Sequence, residues 1–341
     1  MDKKLILAKA GSGKTTELIN KLNTNDKTLI ITYTDSNYNI LRNKIIEKFG
    51  EIPSSIRIYT YFSFLYKFCF APLKNNLTIN GLDFHKNNNK YAKSDKMNYY
   101  LNYKNMKMYH YRLAKICLDK LIDKIQKRIE KYFDYFYIDE IQDFSGHDFN
   151  FLIALLKCNI DILMVGDFYQ HTYDTSRDGN VNINLYNDYE KYINIFKSNK
   201  IFIDTTSLVK SKRCSKTVCD FITNNLKIEI DSYKSNTTIV KELKTLDEIN
   251  IIINDESVVK LFYKNHIKCN LLNTNNWGNS KGETYCDVCV VLNKTSYTSY
   301  IDNKLYELPP QTKNKLYVAC SRPTRNLYFI NEELLKEYKN S

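Results

Sequence analysis

The stretch Leu5-Ile6-Leu7-Ala8-Lys9-Ala10-Gly11-Ser12-Gly13-Lys14-Thr15-Thr16 determines how the amino-terminal part of this chain folds. An apolar run typical of a β-strand leads into a turn with two glycines, and a segment of helical spacing follows. Glycines let backbone N–H groups turn toward an oligophosphate, and the positive end of the helix dipole points at the same anion. The pattern predicts a phosphate-binding loop made of Ala8, Lys9, Ala10, Gly11, Ser12, Gly13, Lys14, Thr15 and Thr16.

Two side chains of this loop have specific expected roles. Lys14 would reach the β and γ phosphates of ATP, and the Thr15 hydroxyl would bind Mg²⁺. Ala8 stands where the usual pattern has its first glycine. The alternative is a glycine-rich turn without a ligand, but the order of strand, loop and helix favours an oligophosphate ligand bound with Mg²⁺.

Length and charge narrow the class of protein. With 341 residues the chain is long enough for two domains, and its formal net charge of +12 favours a polyanionic partner such as nucleic acid. Drift toward a lysine-rich composition would give the same charge, so charge alone is weak support.

The cysteines and the amino terminus indicate the compartment. Nine cysteines, an odd and scattered set, do not suggest a disulfide framework. Cys286 and Cys289 lie in a predicted strand, where residues three apart point to opposite faces, so a zinc site is not expected. The first strand leaves no room for a signal peptide, and no apolar run of about 18 residues occurs. We therefore expect a soluble, intracellular, cytoplasmic protein without membrane contact.

Strand and helix patterns alternate along the chain as in a parallel α/β sheet. Strands are predicted at residues 28–34, 56–60, 135–138 and 160–165, and in the carboxyl-terminal part at 249–253, 267–272, 286–292 and 326–330. A helix capped by Asp35 or Ser36 is predicted to run to Phe49. Residues 71–107 are rich in Asn, Lys and Tyr with little periodicity. They are either a small inserted subdomain or a solvated loop.

Acidic and amide side chains follow two of these strands. Asp139 and Glu140 come directly after an apolar strand, at the sheet edge where ligands of parallel α/β sheets bind. Asp139 would hold Mg²⁺ through water, and Glu140 would polarise the attacking water. After the next strand, Gln170 would reach toward the γ phosphate and Tyr173 would stack on a base.

The ordered motifs resemble those of superfamily 1 helicases and translocases, the UvrD/Rep-like group. The phosphate loop, D-E-I-Q-D at 139–143 and V-G-D-x-x-Q-x-x-Y at 165–173 carry the resemblance, with weaker motifs at 32–37, 60–64, 207–215, 280–287 and 316–323. It implies two RecA-like P-loop domains with parallel sheets, at residues 1–200 and 201–341. It also implies that Arg213 and Arg322 contact the γ phosphate, since charge on that group needs compensation in the transition state.

The same resemblance implies a single-stranded nucleic-acid partner, with DNA and 3′ to 5′ movement expected and RNA left open. Closure and reopening of the cleft between the domains would be coupled to ATP hydrolysis. Candidate contacts to the strand are Thr32, Tyr33, Thr34, Thr60, Phe62, Phe64, Tyr173 and Trp277.

Three departures from the resemblance leave alternatives open. Four residues precede the first strand, where the group usually has a glutamine motif that reads adenine, so specificity for ATP is left open. Thr284 stands where the group has a glutamate, and fewer than seventy residues separate Arg213 from Lys281. That spacing leaves no room for a large accessory subdomain, so two alternatives are open: unwinding is weak, or it needs a protein partner. The second hypothesis is a nucleic-acid-binding ATPase switch without processive unwinding. The third hypothesis is a small-molecule kinase. Such an enzyme would need the phosphate loop but not the motifs at 139–143 and 165–173 or Arg322, so it leaves those motifs unexplained.

Overall fold

The computed structural model describes residues 2–74, 78–85, 92–93, 95–172 and 180–338. Its strands in chain order are β1 (Lys3–Leu7), β2 (Thr28–Thr32), β3 (Ile56–Thr60), β4 (Leu82–Asp83), β5 (Leu101–Asn102), β6 (Lys107–Tyr109), β7 (Tyr135–Ile138), β8 (Asp161–Gly166), β9 (Phe202–Asp204), β10 (Lys210–Ser211), β11 (Asp231–Ser232), β12 (Val240–Glu242), β13 (Val258–Phe262), β14 (Thr274–Asn276), β15 (Asp287–Leu292) and β16 (Leu327–Asn331).

Helices alternate with most of these strands. They are α1 (Lys14–Asn20), α2 (Asp35–Phe49), α3 (Tyr61–Ser63), α4 (Leu113–Ile116), α5 (Ile122–Tyr132), α6 (Gly146–Leu155), α7 (Tyr189–Ser198), α8 (Lys216–Leu226), α9 (Leu246–Asn254), α10 (Lys294–Ile301) and α11 (Pro310–Cys320). A π-helical segment, Phe64–Phe70, continues α3.

The first large sheet has the strand order β3-β2-β7-β8-β1-β9. Its β2 pairs in parallel with β3 and β7, and β7 pairs in parallel with β8. Leu29, Ile30 and Ile31 of β2 are fully buried, as expected for a strand covered on both faces. The predicted parallel α/β architecture is confirmed, because each apolar run predicted within residues 1–165 supplies a strand of this sheet.

The residue that caps helix α2 lies one position before the predicted cap. The Thr34 hydroxyl, rather than Asp35 or Ser36, accepts a hydrogen bond from the Asn37 N–H at 3.2 Å. The helix ends at Gly50, whose φ of 83° is left-handed and whose N–H donates to the Ile46 carbonyl.

A second sheet has the order β12-β16-β15-β13-β14, with every neighbouring pair parallel. Its central strands β15 and β16 agree with the runs predicted at 286–292 and 326–330. Val288, Val290, Leu327 and Phe329 are fully buried in its core.

Two strands that we predicted in this region are wrong. The Ile-rich run 249–253 lies in α9, where Thr245 and Glu248 form a reciprocal capping box. Ile249 and Ile253, four residues apart, are both buried on one face of that helix. The run 267–272 begins with a 3-10 turn at His266–Lys268, and the strand β14 lies further on.

The inserted segment contains a sheet of its own. Strand β6 pairs antiparallel with β5 and parallel with β4. Tyr100 and Met108 are fully buried beside these strands. The described part of the insertion therefore favours a small subdomain over a solvated loop.

Contacts between Cα atoms divide the chain into two compact units. Of the described residues, the first unit holds 2–5, 15–165 and 180–203, and the second holds 6–14, 166–172 and 204–338. The phosphate loop is thus grouped with the carboxyl-terminal part of the chain, and the predicted domain boundary at 200 stays a prediction. Within the described ranges, no helix has the length and apolar character needed to cross a membrane.

Candidate nucleotide and nucleic-acid site

In the second unit, the predicted phosphate loop connects β1 to α1. The Ala8 N–H donates to the Gly166 carbonyl at 2.8 Å, which ties the start of the loop to the end of β8. The Ser12 hydroxyl and N–H both donate to the Lys9 carbonyl, at 2.8 and 3.2 Å, and close the turn. Gly11 and Gly13 both have positive φ, 71° and 98°, so the loop adopts the conformation that its glycines predict.

Gly11 lies against the segment that carries Arg213. A Cβ built on Gly11 would be 2.7 Å from the Arg213 Cβ and 2.7 Å from the Ser211 Oγ. The Lys212 N–H donates to the Gly11 carbonyl at 2.9 Å. A side chain at position 11 would therefore push the predicted arginine away from the loop.

A buried carboxylate, Asp167, links the loop to two later motifs. Its Oδ2 accepts hydrogen bonds from the Gln170 amide at 3.0 Å and the Tyr317 hydroxyl at 2.9 Å. The Tyr317 oxygen in turn accepts from the Ala10 N–H at 2.9 Å. Asp167 and Tyr317 were not predicted as site residues, although both stand inside the quoted motifs and could have been found there.

Burial and the charges of two lysines shift the pKa of Asp167 in opposite directions. Burial raises the pKa of its carboxyl above the usual value, and the charges of Lys14 and Lys9 oppose that rise. Burial also lowers the pKa of Lys9, against the attraction of Asp167 and Glu229. The Lys9 ammonium lies 4.9 Å from the Tyr169 ring centroid, which stabilises the cation.

The two predicted arginines of the second unit meet at Ser321. The Arg213 guanidinium donates to the Ser321 carbonyl at 3.2 Å, and Arg322 donates to the Ser321 hydroxyl at 3.0 Å. Arg322 is 1% exposed and also donates to the carbonyls of Val318, Ser280 and Glu283. Its side chain is held by backbone groups of the second unit, so a phosphate would have to compete with these bonds.

In the first unit, α1 and β7 bring the predicted magnesium ligands together. The Thr15 Oγ1 donates to the Asp139 Oδ2 at 3.1 Å, and Asp139 is 1% exposed. Because Mg²⁺ usually keeps several water ligands, Thr15 would bind the ion directly and Asp139 would hold it through one of those waters. Thr16 accepts instead from the Lys44 ammonium at 3.0 Å.

Glu140 has an unusual backbone. Its φ of 54° is left-handed, which is costly for a residue with a side chain and is frequent at functional sites. Its N–H donates to the Asp139 Oδ1 at 3.0 Å, and its carboxylate accepts from the Gln142 amide. The turn directs the two adjacent acids to separate hydrogen-bond partners.

The candidate nucleic-acid contacts have different environments. Phe64 and Trp277 are fully buried: the Phe64 ring stacks on Phe68 at 5.5 Å, and the Trp277 indole N–H donates to the Leu261 carbonyl. For these two the prediction of base stacking is corrected, because core side chains cover their rings. Tyr173 lies outside the described residues.

The other candidates lie at the carboxyl ends of β2 and β3. Thr32 is buried, while Thr34 and Thr60 cap α2 and α3 through their hydroxyls. Tyr33 is half-buried, donates to Asp148 at 3.0 Å and stacks on Tyr61 at 5.4 Å.

Phe62 is the exposed aromatic of this set. It is 40% exposed and lies 6.2 Å from the ring of Phe84, which is 64% exposed and stacks on His110 at 5.0 Å. Phe84 comes from the inserted segment and His110 from the turn that directly follows β6, and no sequence motif pointed to them.

Comparisons with known proteins agree with this geometry. A sequence profile described as the viral superfamily 1 RNA helicase core domain matches residues 104–331. Among curated protein sequences, none matches this chain. The predicted superfamily is confirmed, whereas the UvrD/Rep-like subgroup stays a prediction.

Two solved structures show the fold. Arterivirus nonstructural protein 10 (helicase), in a complex structure with DNA, is 14% identical with a TM-score of 0.51, and the match covers 98% of this chain and 63% of that one. A crystal structure of arterivirus nonstructural protein 10 (helicase) is 13% identical with a TM-score of 0.51, covering 99% and 62%. This chain thus spans about three fifths of the length of these proteins. The comparison confirms the mixed α/β class expected for two RecA-like domains.

Proposed function

Because this chain belongs to the viral superfamily 1 RNA helicase core domain family, we propose that it is an ATPase that moves along single-stranded nucleic acid and unwinds duplexes. ATP bound with Mg²⁺ is the proposed cofactor. Preference for DNA and movement from 3′ to 5′ are the finer expectations from the UvrD/Rep-like resemblance. Because the family is described as an RNA helicase core domain, RNA is tested beside DNA.

The observation that carries this proposal is the contact between the phosphate loop and the arginine segment of the second unit. Gly11 leaves space that the Arg213 Cβ and the Ser211 Oγ occupy, and Arg213 meets Arg322 at Ser321. A loop that binds phosphates and a cation that compensates γ-phosphate charge are the two requirements of phosphoryl transfer to water. A glycine-rich turn that binds no ligand would not require this close contact with the arginine segment.

Each remaining residue has a proposed role. Lys14 binds the β and γ phosphates, Thr15 and Asp139 bind Mg²⁺, and Glu140 accepts the proton of the attacking water. Gln170, held by Asp167, senses the γ phosphate. Phe62 is proposed to stack on a base, with Phe84 as an added contact.

The test measures phosphate release without nucleic acid, with single-stranded DNA and with single-stranded RNA. We expect stimulation by at least one strand, loss of activity in Lys14→Ala, and a fall of roughly 10²- to 10⁴-fold in Glu140→Gln because the general base is removed. Lys21→Ala and Glu51→Gln, which change exposed side chains, are the matched controls. Turnover that no nucleic acid alters would contradict the proposal.

The absence of a large accessory subdomain favours a second candidate, an ATPase switch that grips a strand without unwinding. The described residues between Arg213 and Lys281 form elements of the second unit itself, from α8 to β14. A strand-displacement assay separates the candidates, since robust unwinding by the isolated chain excludes the switch.

A further inference from the structure

The first unit contains a cavity of about 530 Å³ at the edge of the sheet opposite the catalytic acids. Lys27 and Ser55, which line it, immediately precede β2 and β3. Asp139 follows β7, which runs parallel to β2. Strands of this length, at about 3.3 Å per residue, separate the two edges by roughly 15 Å.

Three cationic side chains line the cavity: Lys27, Arg57 and Arg128. Within the described ranges, none of the three side chains makes an ion pair or a hydrogen bond. Two acids adjacent in sequence to lining residues have other hydrogen-bond partners: Asp134 accepts from the Lys27 backbone N–H at 2.9 Å and Asp26 accepts from the Asn23 amide. The positive charge of the cavity is therefore left for an anion.

The Arg128 guanidinium is positioned by aromatic rings. It lies 4.9 Å from the centroid of Phe68 and 5.1 Å from that of Tyr132, and both rings line the cavity. Phe68 in turn lies 5.8 Å from Phe133 and 6.3 Å from Tyr59, two further lining residues. An arginine packed between rings keeps its planar donors oriented without a carboxylate partner.

Two polar atoms of the lining lack a partner. The Ser55 Oγ and the Arg128 Nε are buried, and neither has a hydrogen-bond partner among the residues that the structure describes. Buried polar atoms in folded proteins are nearly always satisfied. A ligand in this part of the cavity could therefore supply the hydrogen-bond partners that these two atoms lack.

We propose that this cavity binds a nucleotide, with its phosphate on Arg57, Arg128 and Lys27 and its base against the aromatic side chains. The volume lies in the range of small-molecule sites, and cations beside aromatic rings, of which Tyr132 is exposed, match a ligand that joins a phosphate to a flat heterocycle. The ligand is either a free mononucleotide or one nucleotide of a strand. The inference does not depend on the proposed ATPase activity, since no residue of the phosphate loop takes part.

The test is calorimetric titration with uridine 5′-monophosphate, uridine and inorganic phosphate. We expect the monophosphate to bind more tightly than either fragment. Arg57→Gln and Arg128→Gln should each weaken it about tenfold or more, since each removes a charge-assisted hydrogen bond. Lys14→Ala should leave this binding unchanged, and so should Arg42→Gln, an exposed arginine on α2 that serves as the matched control.

A hexanucleotide with a 5′-phosphate identifies the source of the ligand. Tighter binding than the monophosphate, lost in the same two variants, assigns the cavity to a strand, and equal or weaker binding assigns it to the free nucleotide. No binding at millimolar concentration, equal binding of inorganic phosphate, or loss in Lys14→Ala but not in Arg57→Gln would overturn the proposal. Arg57 is exposed, so its variant keeps the test valid even if Arg128→Gln does not fold.

Discussion

At the scale of single residues, the phosphate loop depends on a glycine for two separate reasons. Gly11 has a φ of 71°, which side chains rarely adopt, and its missing Cβ leaves room for Ser211 and Arg213. Gly50 shares the first requirement, with a φ of 83°, but a Cβ there would meet nothing within 4 Å. Comparing these two glycines therefore separates the effect of backbone strain on stability from the effect of close packing.

We therefore expect Gly11→Ala to lower the free energy of unfolding by roughly 2–4 kcal/mol and Gly50→Ala by only about 1 kcal/mol. Gly11→Ala should also weaken nucleotide binding, because the arginine segment must move. Urea unfolding and nucleotide titration of both variants check this, and equal losses of stability would show that the close contact is unimportant.

At the scale of elements, α9 shows how a cap decides between helix and strand. The Thr245 hydroxyl accepts from the Glu248 N–H at 3.3 Å, and the Glu248 carboxylate accepts from the Thr245 N–H at 3.4 Å. These bonds satisfy orphan donors of the first turn, and the isoleucines four residues apart then bury one face.

Thr245→Ala should lower the free energy of unfolding by about 1 kcal/mol, since it removes the cap. Thr298→Ala is the matched control: its hydroxyl donates to the Lys294 carbonyl inside α10, where alanine is a better helix former. Thermal or urea unfolding measures both variants. A loss for Thr298→Ala as large as that for Thr245→Ala would argue against the cap.

The same cap predicts a pH dependence. The N–H of Lys244, the Lys241 ammonium and the N–H of Thr245 lower the pKa of Glu248 from 4.5 to about 2. Because the folded pKa is the lower one, the carboxylate stabilises the fold above about pH 4.5, and this contribution is lost as the pH falls toward 2. Unfolding measured over that range should depend less on pH in Glu248→Gln than in the native chain. An identical profile would contradict the assigned cause.

At the scale of the whole molecule, the formal net charge of +12 predicts salt-sensitive binding to nucleic acid. Lysines and arginines that neutralise phosphates release counterions, so affinity falls as salt rises. We expect affinity for a single strand to drop at least about tenfold between roughly 50 and 200 mM salt. Fluorescence anisotropy at several salt concentrations measures the slope, and a flat response would mean that the basic surface makes no phosphate contacts.

Some features of this protein followed from its sequence alone. The glycine turn at residues 8–16, the strands β1, β2, β3, β7, β8, β15 and β16, and the superfamily were predictable, because short-range patterns of apolar residues, glycines and acids specify them. The errors at 249–253 and 267–272 arose where isoleucine-rich runs suit helix and strand equally, and only capping and packing decide between them.

Tertiary structure decided which side chains are accessible to a ligand and which are buried or held by other residues. It buried Phe64 and Trp277, left Phe62 beside Phe84, and joined Asp167 to Tyr317 across 150 positions of the chain. Burial and hydrogen bonding of this kind depend on residues far apart in sequence, so no local pattern reports them. The chain's own order of residues thus determines where phosphate chemistry is encoded, and the packed fold determines which groups can take part in it.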